Sequence, residues 1–192
     1  MDYKELKNLI RGDFKRLSES NSIGSYIRVF AMNPSFKMTF WFRIGSYLKE
    51  KHNPLARILY YLVFFIHKHN QYVTGIQIAF GTSIGKGLFF GHFSCTGIDR
   101  HATIGENLTI FHGVSIGSVR GKGDHGEPVI GNNVVLAPGC KVIGNIKIGN
   151  NVFVGANAVV VKDVPDNAVV GGIPAKILSM DGYTNTQLYY PN

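Results

Sequence analysis

Seven histidines punctuate the 192-residue chain: His52, His67, His69, His92, His101, His112 and His125. Imidazole changes charge near neutral pH without special surroundings, so histidines are the first place to look for proton transfer. His92 stands out by position. It lies in Phe89-Phe90-Gly91-His92, where a repeat that runs through most of the chain is interrupted. His112 follows Ile110 by the same two residues that separate His92 from Phe90. The first three histidines fall in a helical stretch and read as surface or packing residues, while His101 occupies a turn position. Cys95 lies near His92, and Cys140 falls where other repeats place Thr82, Ala102, Val114 or Ala158, a small core position. Two cysteines exclude a disulfide framework and suggest a reducing compartment.

The repeat that positions these residues has a period of six. A bulky apolar residue recurs at Ile78, Ile84 and Phe90, then at Ile98, Ile104, Ile110 and Ile116. It resumes at Ile130, Leu136, Val142, Ile148, Val154 and Val160, making thirteen frames. A helix repeats every 3.6 residues and a strand every two, so neither alone accounts for a period of six. A short strand followed by a sharp corner does. Three residues after each apolar position stand Gly81, Gly87, His101, Asn107, Gly113, Asn133, Gly139, Asn145, Asn151, Asn157 and Asp163, types that tolerate positive φ. The two exceptions follow Phe90 and Ile116, where two and eight residues are inserted. The longer insertion, Ser118 to Pro128, is an exposed loop carrying Arg120, Lys122 and His125. Local rules yield at functional sites, so the chemistry is expected at these breaks.

Ahead of the repeat the composition changes. Residues 1–70 hold 12 of the 20 Lys and Arg against five acids, with 13 of the 23 aromatics and three of the 23 glycines. The formal +8 of the whole chain is therefore +7 in the first third and +1 in the rest. Asn33-Pro34 and Asn53-Pro54 each set a capping residue before a proline. They predict helices over about 34–50 and 54–69, after a first over about 3–18. The last contains nine consecutive apolar residues, Ile58 to Ile66, short of the roughly 20 that span a bilayer, and must be covered by protein or lipid. No secretory signal pattern opens the sequence. No zinc spacing or groove-reading basic helix accompanies the charge, which excludes a nucleic-acid partner.

The thirteen frames resemble the hexapeptide-repeat acyltransferases, over about residues 72–178. The resemblance implies a mainly β fold, a left-handed parallel β-helix with three hexapeptides per coil. It gives an N-terminal helical subdomain over 1–71, the β-helix over 72–180 and a C-terminal tail over 181–192. The ending Lys162-Asp163-Val164-Pro165 through Gly171-Gly172-Ile173-Pro174-Ala175-Lys176 is similar to the family's close, which lies against coenzyme A between subunits of a trimer. Lys162, Pro174, Ala175 and Lys176 are the implied cofactor contacts, with acetyl-CoA as co-substrate and no metal. The lysines suit phosphate as point charges. A homotrimer is expected, or a dimer of trimers through the helical part.

Phe89-Phe90-Gly91-His92 resembles the catalytic-histidine segment of the serine acetyltransferases, which implies His92 as general base. In a three-hexapeptide coil, Phe90 and Ile110 stand one coil apart. His92 and His112 then stack at one corner, separated by about the 4.8 Å between neighbouring strands. The N-terminal region looks about half the length that subfamily implies, and three departures fall at the site. The subfamily places Asp before the histidine where this chain has Gly91, another acid fifteen residues earlier where it has Gln77, and a loop histidine where it has Glu127, His125 lying two residues before. Gln77, His125 and Glu127 are the candidate acceptor contacts. With two carboxylates gone, the reading favoured is an acetyl-CoA-dependent O-acetyltransferase acting on a sugar hydroxyl in surface-polysaccharide synthesis. Serine O-acetyltransferase is the alternative. A third reading is a zinc enzyme resembling the γ-type carbonic anhydrases, with His92, His112 and His125 as ligands; a non-catalytic repeat scaffold is a fourth. The expected location is the cytoplasm, with residues 1–70 against the inner face of the plasma membrane.

Overall fold

A computed structural model of the chain describes residues 1–119 and 126–190. Four helices come first: α1 (Tyr3–Lys15), α2 (Ile23–Met32), α3 (Pro34–Lys49) and α4 (Pro54–Thr74). The predicted Asn-Pro starts are present, the Asn33 side chain accepting from the Phe36 N–H and Asn53 from that of Ala56. The sequence reading places no helix over residues 23–32. Ser22 caps α2 by accepting from the Ser25 N–H, and Phe30 packs its ring on Phe40 and Trp41 of α3. α4 runs five residues past its predicted end at 69, stopping at Gly75, whose φ of 69° places it in the left-handed region. Among the described residues no helix is long and apolar enough to cross a membrane.

From Ile76 the chain winds as a left-handed parallel β-helix. One wall, sheet A, stacks β1 (Ile76–Gln77), β4 (Thr96–Ile98), β7 (Ser115–Gly117), β10 (Lys141–Ile143) and β13 (Val159–Val160). Sheet B stacks β2 (Ser83–Ile84), β5 (Thr103–Ile104), β8 (Val129–Ile130) and β11 (Lys147–Ile148). Sheet C stacks β3 (Phe89–Phe90), β6 (Thr109–Ile110), β9 (Val135–Leu136), β12 (Phe153–Val154) and β14 (Val169–Gly171), with β15 (Lys176–Ser179) antiparallel at the end. All thirteen apolar frame residues point into the prism, none more than 7% exposed. The hexapeptide period is thus the length of one wall plus its corner.

The corners are not equivalent. Those from B to C and from C to A take left-handed residues: Gly87, Asn107, Asn133 and Asn151 at the first, Gly113, Gly139 and Asn157 at the second. At the B-to-C corner asparagines bond in a ladder, Asn107 donating to Asn133, Asn133 to Asn151 and Asn151 to Asn167, over 2.9–3.1 Å. The A-to-B corners are mixed: Gly81, between β1 and β2, takes the expected left-handed conformation with φ of 90°, and the others depart from expectation. His101, Asn145 and Asp163 do not take positive φ. At His101 the turn is closed by Asp99, whose side chain accepts from the His101 N–H at 2.9 Å, an Asx turn in place of a left-handed residue. Between β10 and β11, Gly144 takes the positive φ one residue earlier. The long insertion enters along the same edge, between β7 and β8.

The helices are fastened to the prism by polar groups. Asp13 on α1 accepts from Arg43 Nε at 2.9 Å and from the Gly87 and Leu88 N–H groups at 2.8 Å. Arg43 on α3 also donates to the Ile84 and Gly85 carbonyls. Gly45 lets α3 approach closely, since a Cβ there would lie 2.1 Å from the Phe80 ring. After β15 the chain crosses back over sheet C through α5 (Gly182–Gln187), and Arg16 ties it down by donating to the Tyr189 carbonyl and the Thr109 hydroxyl. Burial lowers the Arg16 guanidinium to about 10.

Candidate active site

The sequence brings His92 and His112 together through strand register. β3 pairs with β6 in parallel, Phe89 opposite Thr109 and Phe90 opposite Ile110, so residues two further on emerge at the same C-to-A corner. The imidazole centroids are 6.0 Å apart with planes at 63°, and both side chains are exposed. This exceeds the predicted strand spacing of about 4.8 Å because the rings are turned edge to face and do not lie flat on one another at the spacing of the strands.

A third ring joins them. Phe111 lies 5.9 Å from His92 and 5.7 Å from Tyr189, which also packs on Phe153. The sequence reading missed both. Phe111 had a signal, since it sits between two residues already singled out. Tyr189 had none, because it arrives from the far end of the chain on the strap. The same ring explains Gly91: a Cβ there would lie 2.7 Å from Phe111 Cε1. An aspartate at this position is excluded while the ring is packed between His92 and Tyr189.

The other candidates are dispersed. Gln77 lies on the outer face of sheet A and lines a cleft of about 610 Å3 with Lys49, Tyr60, Lys68 and Arg100. Glu127 is exposed beside β8, at the A-to-B corner, so a width of sheet A separates its corner from that of the histidines. His125, with Arg120 and Lys122, lies outside the described residues. Lys162, Pro174 and Lys176 are exposed along the last coil, and the Ala175 N–H donates to the Val159 carbonyl at 2.8 Å. The apolar side chains of Ile173, Ile177 and Leu178 are exposed beside them. His67 is a packing residue, stacked 4.5 Å from Phe80 with Nε2 3.0 Å from the Ile78 carbonyl oxygen. Cys140 is a core residue whose thiol burial pushes up to about 12, and Cys95 is exposed.

An exposed imidazole pair against an aromatic wall can accept a proton from a hydroxyl placed at the corner. Among the described residues no group of three His, Cys, Asp or Glu is placed to hold a metal ion, and the three-histidine set includes His125, which lies outside them.

Residues 127–162 match the family described as bacterial transferase hexapeptide, six repeats. A serine acetyltransferase of Staphylococcus aureus strain Mu50 is 44% identical over 117 residues, 61% of this chain and 55% of the relative. That of Staphylococcus epidermidis is 43% identical over the same length. The chain thus spans little more than half of the curated relatives it matches. Soybean serine acetyltransferase is 30% identical with a TM-score of 0.74, covering 91% of this chain and 69% of the soybean one. A Neisseria gonorrhoeae serine acetyltransferase, solved in complex with serine, is 28% identical with a TM-score of 0.73, covering 92% and 70%. The repeat, the prism it winds and these likenesses agree: the chain belongs to the hexapeptide-repeat acetyltransferases, in their serine acetyltransferase-like branch.

Proposed function

We propose that this protein transfers the acetyl group of acetyl-CoA to an acceptor hydroxyl, with His92 as general base. The edge-to-face imidazole pair at the C-to-A corner carries the reading. Neutral His92 takes the hydroxyl proton as the oxygen attacks the thioester carbonyl carbon. The tetrahedral intermediate collapses with cleavage of the carbon–sulfur bond, and the imidazolium returns the proton to the departing thiolate. His112 orients His92 or meets the acceptor. Acetyl-CoA lies along the last coil, where Lys162 and Lys176 meet its phosphates and the exposed Ile173 and Leu178 meet its apolar length.

The acceptor assigned first is L-serine, because the relatives compared above are serine acetyltransferases. This places the sequence reading's alternative ahead of its favoured sugar. Glu127 is then the exposed carboxylate available to the substrate ammonium. A site using both Glu127 and His92 takes them from two copies of the chain, since they stand at different corners of one prism. A homotrimer, three prisms side by side, supplies that geometry.

A sugar hydroxyl in surface-polysaccharide synthesis is retained as a second reading on one observation. Where the resembling subfamily has Asp before the histidine, this chain has Gly91 with Phe111 filling the space, and Gln77 replaces a second acid. With no carboxylate at either position, the ammonium of serine lacks a counter-charge there, whereas a neutral amide can hydrogen-bond a sugar hydroxyl.

Thiol release from acetyl-CoA decides between them. Serine-dependent release by the wild type supports the first reading; release only with saccharide acceptors replaces it with the second. His92→Ala lowers turnover by about 10²–10⁴-fold, the usual worth of a general base, and His112→Ala leaves measurable turnover. Equal turnover by His92→Ala and wild type refutes the assignment.

A further inference from the structure

α4 buries only part of its circumference. Ala56, Val63, His67 and Thr74 face the prism and α3. At about 100° per residue the opposite arc holds Leu55, Ile58, Leu62, Phe65 and Tyr72, every one at least 58% exposed, with Tyr61 at its border. The stripe runs the length of a 21-residue helix, about 31 Å. Arg57 and Lys68 fall together along one border of it, at about 300–320° on the same wheel.

The surroundings are one-signed. Between Ile23 and Thr74 there are seven Lys and Arg and one acid, Glu50, which meets the N-terminal ammonium. One of the seven, Arg43, is neutralised by Asp13. Beside Lys68 the surface dips into the 610 Å3 cleft, lined by Lys49, Lys68 and Arg100 and by no carboxylate. A second copy docked on this face by a two-fold axis sets the patch against itself, so the same cations meet. The charge favours a partner both anionic and apolar.

We propose that α4 is a membrane-docking helix that lies in the plane of an anionic phospholipid surface. The Leu55–Tyr72 stripe enters the acyl boundary, Tyr61 and Tyr72 sit at the headgroup level, and Arg57 and Lys68 reach the phosphates. The basic cleft faces the same headgroups. The apolar stripe and the flanking charge are the two signals that stable peripheral binding requires. The inference is independent of the acetyl acceptor, and its test uses no acetyl donor.

The test is flotation of the full chain with phosphatidylcholine vesicles, with and without about 30% phosphatidylglycerol. Wild type is expected to float with the anionic vesicles, at least about tenfold above the neutral ones, and to be partly released by about 0.5 M salt. Leu62→Glu and Phe65→Glu change exposed positions, so far-UV circular dichroism stays unchanged while recovery drops about tenfold or more. Arg57→Glu/Lys68→Glu weakens binding most at low salt. Equal recovery with both vesicle types overturns the proposal, as does a Leu62→Glu variant that floats like wild type. So does a wild type that stays in solution while Leu62→Glu lowers its oligomeric mass, which assigns the stripe to a second copy. A wild type that neither floats nor changes mass on substitution also refutes it.

Discussion

Asp13→Ala is expected to be among the most destabilising single substitutions in the chain. The carboxylate is 1% exposed and Arg43 is 2% exposed. Removing it strands a buried guanidinium, worth about 3–5 kcal/mol when one partner of a buried pair is deleted. It also leaves the Gly87 and Leu88 N–H groups without their acceptor, at about 1–3 kcal/mol each if water cannot enter. These losses overlap, since a cavity that admits water relieves both, so a total of about 4–6 kcal/mol is expected. Asp13→Asn keeps an oxygen for the two amides but loses the charge and sets an NH2 donor against Arg43 Nε, so a smaller yet still substantial cost is expected. Asp13→Ala/Arg43→Met removes the stranded charge and should recover about 2 kcal/mol relative to the sum of the single changes. Urea unfolding followed by circular dichroism, at one protein concentration, measures the wild type, these three variants and Arg43→Met alone. A cost below about 1 kcal/mol for Asp13→Ala, or strict additivity in the cycle, refutes the clamp. Because Gly87 and Leu88 lead into β3 and His92, the variant should also lose turnover before it unfolds.

The asparagine ladder predicts a graded series at Asn133, which has φ of 56° and bonds to both Asn107 and Asn151. Asn133→Ala loses two hydrogen bonds and pays left-handed strain, about 2–4 kcal/mol together, whereas Asn133→Gly loses only the bonds; equal destabilisation would remove the strain argument. Burial lowers the His67 pKa, with Lys68 adding to it and the Ile78 carbonyl opposing. The unfolded chain then binds the proton more readily, so this contribution to stability is present above about pH 6.5 and lost as pH falls through the depressed folded value. His67→Gln should flatten the slope of stability against pH in that window by up to about 1.4 kcal/mol per unit; an unchanged slope would assign the acid sensitivity elsewhere.

Local rules carried the sequence reading furthest. Each hexapeptide specifies its own wall and corner, so thirteen inward residues and most left-handed corners were legible without knowing their neighbours. The stacking of His92 on His112 followed once coil length was assumed, since parallel register conveys a fixed offset from one coil to the next. The Asn-Pro caps were legible for the same reason, as each acts within its own first turn. His101 was misread because Asp99 substitutes a side-chain turn for backbone handedness, and Asn145 because Gly144 takes the positive φ one residue earlier; a three-residue spacing reveals neither choice.

What the amino-acid sequence by itself determined was therefore the repeating prism, its two interruptions and the histidine at the first of them. Tertiary structure decided which groups meet from far along the chain. Asp13 finds Gly87, Tyr189 finds Phe111, and the asparagines of successive coils find one another. It also decided which half of α4 stays uncovered, because an apolar run shows that burial is needed and not which face the prism will fill. The physical reason is range: capping, φ preference and hexapeptide periodicity act over a few residues, whereas ion pairs, ring contacts and burial depend on where the whole chain has already gone.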